Sequence, residues 1–157
     1  MIRAERGDIW SYSESHFIVI PTNIGWKWQD GRNVMGRGLA LQATKKWPYF
    51  SFWFGEMCRR HGEKTPTCVY PYGPLIAFPV KPLNKKEPHL SWRSNADTGL
   101  IERSARELAA IEVPKPVALP LVGCGNGKLE MSEVRPILDR YLGDSRFVLV
   151  LAERPGS

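Results

Sequence analysis

Apolar positions in this chain form short, nearly continuous runs, separated by longer stretches in which they recur every three or four residues. The clearest runs are Phe17 to Pro21 (FIVIP), Val117 to Leu121 (VALPL) and Phe147 to Leu151 (FVLVL). Runs this short, partly β-branched, fit strands buried on both faces of a sheet that helices cover. Ile2 to Arg6, Cys68 to Tyr72 and Leu75 to Val80 are weaker strand candidates, the last two divided by a Tyr72-Gly73-Pro74 turn signal. Helical spacing fills the intervals. Gly38 to Trp47 sets Leu39, Gln42, Ala43 and Lys46 at helical spacing and ends at Pro48. Phe50 to His61 predicts a second helix, with Phe50, Trp53, Phe54 and Met57 on one stripe. A third, capped by Asp97 or Thr98, runs to Ile111 and turns Leu100, Ile101, Ala105, Leu108 and Ile111 inward. A fourth opens at Ser132 with Glu133 and Arg135, buries Val134, Ile137, Leu138 and Tyr141, and stops at Gly143. The alternation predicts an α/β fold: a three-layer α/β/α sandwich with a central mixed sheet of about six strands. No linker, repeat or low-complexity segment divides residues 1–157, so a single domain is expected.

Composition narrows the picture. Hydrophobic residues make up 43% and charged residues 24%, the balance of a folded chain rather than a disordered one. No apolar run approaches the roughly 20 residues of a membrane helix. Met1 to Arg6 lacks the apolar centre of a signal peptide, so a cytoplasmic location with no membrane partner is expected. Cys58, Cys68 and Cys124 show no C-x2-C spacing and are expected to be free thiols, with neither metal nor cofactor required. Cys124 stays a minor candidate nucleophile because it sits among glycines. The net charge of +6 attracts phosphate-bearing partners, yet the cations come only as pairs such as Lys45-Lys46, Arg59-Arg60 and Lys85-Lys86. That pattern suits an anionic small ligand as well as a nucleic acid.

Two glycine-bearing loops carry the chemistry. Asn33-Val34-Met35-Gly36-Arg37-Gly38 precedes the Leu39 helix, and Gly123-Cys124-Gly125-Asn126-Gly127-Lys128 follows the Val117 strand. Glycine lets a backbone approach an anion closely, so that successive N–H groups converge on it, and a following helix adds its positive end. Neither loop is a Walker loop or a G-x-G-x-x-G turn. Two of them at strand ends in one open sheet point to a diphosphate in the crevice between.

These stretches resemble the macrodomain (Appr-1″-p processing) family. Gly7-Asp8-Ile9 is similar to its opening and Ile20-Pro21-Thr22-Asn23 to its second strand. Val34-Met35-Gly36-Arg37-Gly38-Leu39-Ala40-Leu41-Gln42 and Pro120-Leu121-Val122-Gly123-Cys124-Gly125-Asn126-Gly127-Lys128-Leu129 resemble its two phosphate loops. The likeness is to the branch holding the DNA-ADP-ribosyl glycohydrolase antitoxins and the terminal-ADP-ribose protein glycohydrolases. It implies ADP-ribose as ligand, with Asp8 and Ile9 at the adenine and Asn23 at the distal ribose. The amides of Val34, Met35, Gly36, Arg37, Gly38 and Leu39, and of Gly123, Cys124, Gly125, Asn126 and Gly127, would hold the diphosphate. Phe147 or Tyr70 is a candidate cover for the adenine.

The same resemblance implies a glycohydrolase whose lysine ends the strand past mid-chain, a position that Ala77-Phe78-Pro79-Val80-Lys81 matches. Lys81 is the expected nucleophile, with Lys85 and Lys86 as competitors. The protein glycohydrolases of the branch carry an aspartate where this chain has Gly127, so the chain is nearer the antitoxins. Glu130 is the nearest carboxylate, as a general base or a helix-start acid, and His89 a weaker substrate contact. The expected partner is an ADP-ribosylated macromolecule, including a nucleic acid carrying ADP-ribose, with a cognate ADP-ribosyltransferase as counterpart. A non-catalytic ADP-ribose reader, an ADP-ribose-1″-phosphate phosphatase and a nucleic-acid-binding module are the alternatives. Ile24 to Asn33 departs from the family by its length and its Trp26 and Trp28. It predicts either a lid or acceptor surface, or a hairpin-like excursion with both tryptophans packed.

Overall fold

Side chains of a strand alternate between the faces of a sheet, and here both faces are apolar. The computed structural model describes residues 1–61 and 71–153. Among them six strands form one sheet: β1 (Arg3–Arg6), β2 (Phe17–Asn23), β3 (Pro71–Tyr72), β4 (Leu75–Lys81), β5 (Val117–Leu119) and β6 (Phe147–Leu151). Their order is β1-β6-β5-β2-β4-β3, parallel except for the β3–β4 hairpin at Gly73, so the sheet is mixed as predicted. The first half of the Cys68 to Tyr72 strand prediction, with Cys68 and Tyr70, lies outside the described residues. The Val117 strand stops at Leu119, before Pro120.

Ile18, Ile20, Leu75, Ala77, Ala118, Val148 and Val150 face one core. It is closed by α1 (Gly38–Lys46) and α2 (Phe50–His61) through Ala43, Phe50, Phe54 and Cys58. Val19, Ile76, Phe78, Val117, Leu119, Phe147 and Leu149 face the other. There α3 (Thr98–Ala110) and α4 (Met131–Tyr141) supply Ile101, Ala105, Leu108, Val134 and Leu138. Three layers result. The α2 stripe is Phe50, Phe54 and Cys58, with Ser51 and Gly55 also buried, whereas Trp53 and Met57 are only half-buried. Asp97 caps α3, its carboxylate accepting from the Leu100 N–H at 2.8 Å. Glu130, not Ser132, is the N-cap of α4, and the Glu133 carboxylate reaches back to the Glu130 N–H at 2.8 Å.

Phe147 is 2% exposed in the α3/α4 core, at the amino end of β6. It therefore cannot cover a ligand at the carboxyl edge. No helix among the described residues is long and apolar enough to cross a membrane.

Candidate functional site

Because five strands run parallel, their carboxyl ends meet at one edge, where the chain leaves the sheet with unpaired backbone groups. Asn23 and Lys81 end there side by side: a bulge between Thr22 and Asn23 leaves Thr22 opposite Pro79 but Asn23 opposite Lys81. The edge holds two adjoining cavities. The first, about 560 Å³, is bounded by Asn23, Lys81, Trp92 and the loops 34–40 and 123–127. The second, about 710 Å³, is bounded by Asp8, Ile9, Cys124 and the end of β6. Leu39, Pro120, Leu121 and Gly125 line both, so the two are neighbours along the edge.

Each glycine loop has a structural reason. Arg37, the N-cap of α1, makes no side-chain cap, so the first N–H groups of that helix stay open toward the first cavity. In the second loop Gly123 has φ +76°, and a Cβ on Gly127 would overlap the Gly123 carbonyl oxygen. The loop closes on itself through the Leu129 N–H to the Gly123 carbonyl at 3.0 Å and the Lys128 N–H to the Gly125 carbonyl at 3.1 Å. All of Val34 to Leu39, with Gly123, Gly125, Asn126 and Gly127, line the first cavity, while Cys124 faces the second.

Lys81 is half-buried, and its Nζ donates to the Trp92 carbonyl at 2.8 Å. Burial above all, then the positive charges of Arg37 and Lys128, pushes its pKa below the ordinary lysine value. Neither Arg37 nor Lys81 has a carboxylate within ion-pair distance among the described residues, and no carboxylate lines the first cavity. The Arg37 guanidinium instead lies over the Trp92 ring, 5.2 Å from its centroid. Trp92 was not singled out by sequence reasoning. Its signal lies in the polar stretch after β4, where the 3-10 helix Pro88–Arg93 returns it to the strand end.

The remaining candidates sort by contact. One Asp8 oxygen accepts from the Trp10 N–H at 3.0 Å, capping the 3-10 turn Ile9–Tyr12, while the residue stays exposed. Asn23 is 5% exposed, and its Nδ2 donates to the Val34 carbonyl at 2.9 Å. Glu130 caps α4, in keeping with its helix-start reading. The Cys124 thiol is pushed up by burial and by Glu130 and Glu133, which argues against the thiolate that a cysteine nucleophile needs. Lys85, Lys86 and His89 line neither cavity. The 24–33 excursion is a tight turn, with the Lys27 N–H bonded to the Arg32 carbonyl at 2.9 Å. Its tryptophans part company: Trp26 packs on the core and Trp28 is 70% exposed. Among the described residues no group of three or more His, Cys, Asp or Glu side chains is placed to hold a metal ion.

No protein-family model and no curated protein matches the chain. Solved structures do. The macrodomain of Mycobacterium tuberculosis DarG is 25% identical, with a TM-score of 0.71 over 98% of each chain. The macrodomain of Thermus aquaticus DarG is 22% identical, with a TM-score of 0.69 over 98% of this chain and 99% of that one. Thermosipho africanus DarTG in complex with ADP-ribose is 21% identical, with a TM-score of 0.68 over 99% of this chain but 43% of that one. The chain has the macrodomain fold.

Proposed function

We propose that this chain, a macrodomain by fold, binds ADP-ribose along the two adjoining cavities and hydrolyses the bond from its distal ribose to a larger acceptor. In this reading the adenine occupies the second cavity beside Ile9, with its amino group donating to Asp8. The diphosphate lies between the amides of Val34 to Leu39 and those of Gly123 to Gly127, next to the open end of α1. The distal ribose then reaches Asn23 and Lys81. Support comes from the structurally similar DarTG protein, solved with ADP-ribose.

The observation that carries the catalytic part is the half-buried Lys81 amine, its pKa lowered, at the end of the first cavity beside Asn23. A neutral amine is a nucleophile, and burial with neighbouring cations raises its neutral fraction. Lys81 would attack the anomeric carbon, the acceptor would leave with a proton, and water would then release ADP-ribose and restore the amine. The acceptor class is a nucleobase or a carboxylate side chain. An enzyme that removes ADP-ribose presupposes one that attaches it, so a cognate ADP-ribosyltransferase belongs to the proposal.

The test is a panel of ADP-ribosylated thymidine DNA, guanosine DNA, glutamate peptide and ADP-ribose-1″-phosphate, with Lys81→Ala beside wild type. The expected result is release of ADP-ribose from one macromolecular substrate, lost in Lys81→Ala while calorimetric binding of ADP-ribose persists. Full activity in that variant removes the lysine mechanism. One observation favours a second reading, a non-catalytic reader: among the described residues no carboxylate lines the first cavity to activate water. Binding without release from any substrate would select it.

A further inference from the structure

We propose that Asn33 is a positioning residue, which holds the Asn23 carboxamide in the one orientation that turns an N–H edge toward the first cavity. The inference rests on the reading that Asn23 meets the distal ribose there.

The two ends of a carboxamide have nearly the same shape, so partners decide which way it points. Asn23 Oδ1 accepts from the Gly25 N–H at 2.9 Å and from Asn33 Nδ2 at 2.9 Å. Asn23 Nδ2 gives one hydrogen to the Val34 carbonyl at 2.9 Å, which leaves its second hydrogen for a ligand. Asn33 Nδ2 also lies 3.0 Å from the Asn23 carbonyl and 2.8 Å from the Gly25 carbonyl. Three acceptors surround that nitrogen, so Asn33 cannot turn over without setting oxygen against oxygen. Its own Oδ1 is in consequence buried with no hydrogen-bond partner among the described residues, in a side chain only 1% exposed. An unsatisfied buried acceptor is unfavourable, and here the contacts at the other end of the amide hold it in place.

Asn33 is in turn held from outside the cavity. Its N–H donates to the Ser51 carbonyl at 2.8 Å, and the 31–33 backbone lies so close to Gly55 that a Cβ there would sit 2.5 Å from the Asn33 nitrogen. Helix α2 thus sets Asn33, Asn33 sets Asn23, and Asn23 presents a donor to the cavity. A donor at that point selects an oxygen lone pair, such as that of a ribose hydroxyl, and Asn23 also fastens the Val34 carbonyl at the start of the first glycine loop.

The experiment compares wild type with Asn33→Asp, which keeps the shape and loses both donors, and with Asn33→Ser, which keeps one donor should the aspartate variant fail to fold. Calorimetry is run with ADP-ribose and with ADP, which lacks the distal ribose. Asn33→Asp is expected to weaken ADP-ribose about tenfold and ADP less than about twofold, with Asn33→Ser between. In an Asn23→Ala background the Asn33 change is expected to cost nothing more. Equal losses for both ligands, or additive losses in the double variant, overturn the proposal. Nuclear magnetic resonance of the Asn23 side-chain amide needs no ligand. Its two protons are expected to be distinct in wild type, the one given to the Val34 carbonyl protected from exchange, and that protection to be lost in both Asn33 variants; unchanged protection overturns the proposal. Wild-type protein that fails to bind ADP-ribose would defeat the functional reading alone, because the resonance measurement still decides the positioning.

Discussion

At the scale of single residues, the Lys81 amine has a cost that stability measurements can read. Its folded pKa lies below the ordinary lysine value, with burial as the main cause and Arg37 and Lys128 adding to it. For a lysine shifted this way, the charged form is disfavoured in the folded state. The destabilisation is present in full below the folded pKa, fades as pH rises through it, and is gone above the ordinary value. Lys81→Met, which keeps the apolar stem, is therefore expected to melt higher than wild type at neutral pH. The gap should shrink steadily as melting is repeated toward the pH at which free lysine titrates. A gap independent of pH would mean that the amine carries no such cost. The same shift bears on the proposed lysine mechanism, since the neutral fraction of Lys81 rises at lower pH than for a solvated lysine. The Lys81 position was legible as a strand end, but the Trp92 carbonyl that accepts its hydrogen bond, eleven residues on, was not.

At the scale of elements, the second glycine loop decides what chemistry can be added. An aspartate at position 127 would bring a Cβ into the Gly123 carbonyl oxygen and within 2.7 Å of the Ala96 Cβ. Gly127→Asp is therefore expected to cost about 1–3 kcal/mol in urea unfolding, as overpacking does, rather than to install a general base. A variant that keeps wild-type stability and turns over substrate faster would contradict that geometry. Helix ends follow local rules closely: Asp97 caps α3 as its residue type predicts. Helix α4 was expected to open at Ser132, yet it starts at Met131, because the Glu133 carboxylate reaches back to the Glu130 N–H. In α2, residues 31–33 pack on the small residues Ser51 and Gly55, so burial follows Phe50, Phe54 and Cys58 rather than Trp53 and Met57.

At the scale of the whole molecule, parallel strands deliver Asp8, Asn23, Lys81 and both glycine loops to one edge. If ADP-ribose spans the two cavities there, it binds the folded state alone and raises its stability. At a hundredfold excess over Kd the gain is about 2.7 kcal/mol, which for a chain of this size is a rise of several degrees in Tm. ADP is expected to give a smaller rise at the same concentration, because it leaves the Asn23 and Lys81 end empty. Differential scanning fluorimetry with both ligands checks this. No shift with ADP-ribose would remove the binding proposal.

The spacing of apolar residues determined the three layers and the mixed sheet, and the placement of glycines the two loops, because strand and helix periods and the freedom of glycine act within a few residues of chain. Folding in three dimensions decided the rest. The register that sets Asn23 against Lys81, the Arg37 and Trp92 contact, and the burial of Phe147 away from the edge all join segments far apart in sequence. Asn33 belongs with them: its role comes from three acceptors and a helix that only tertiary packing gathers around one side chain.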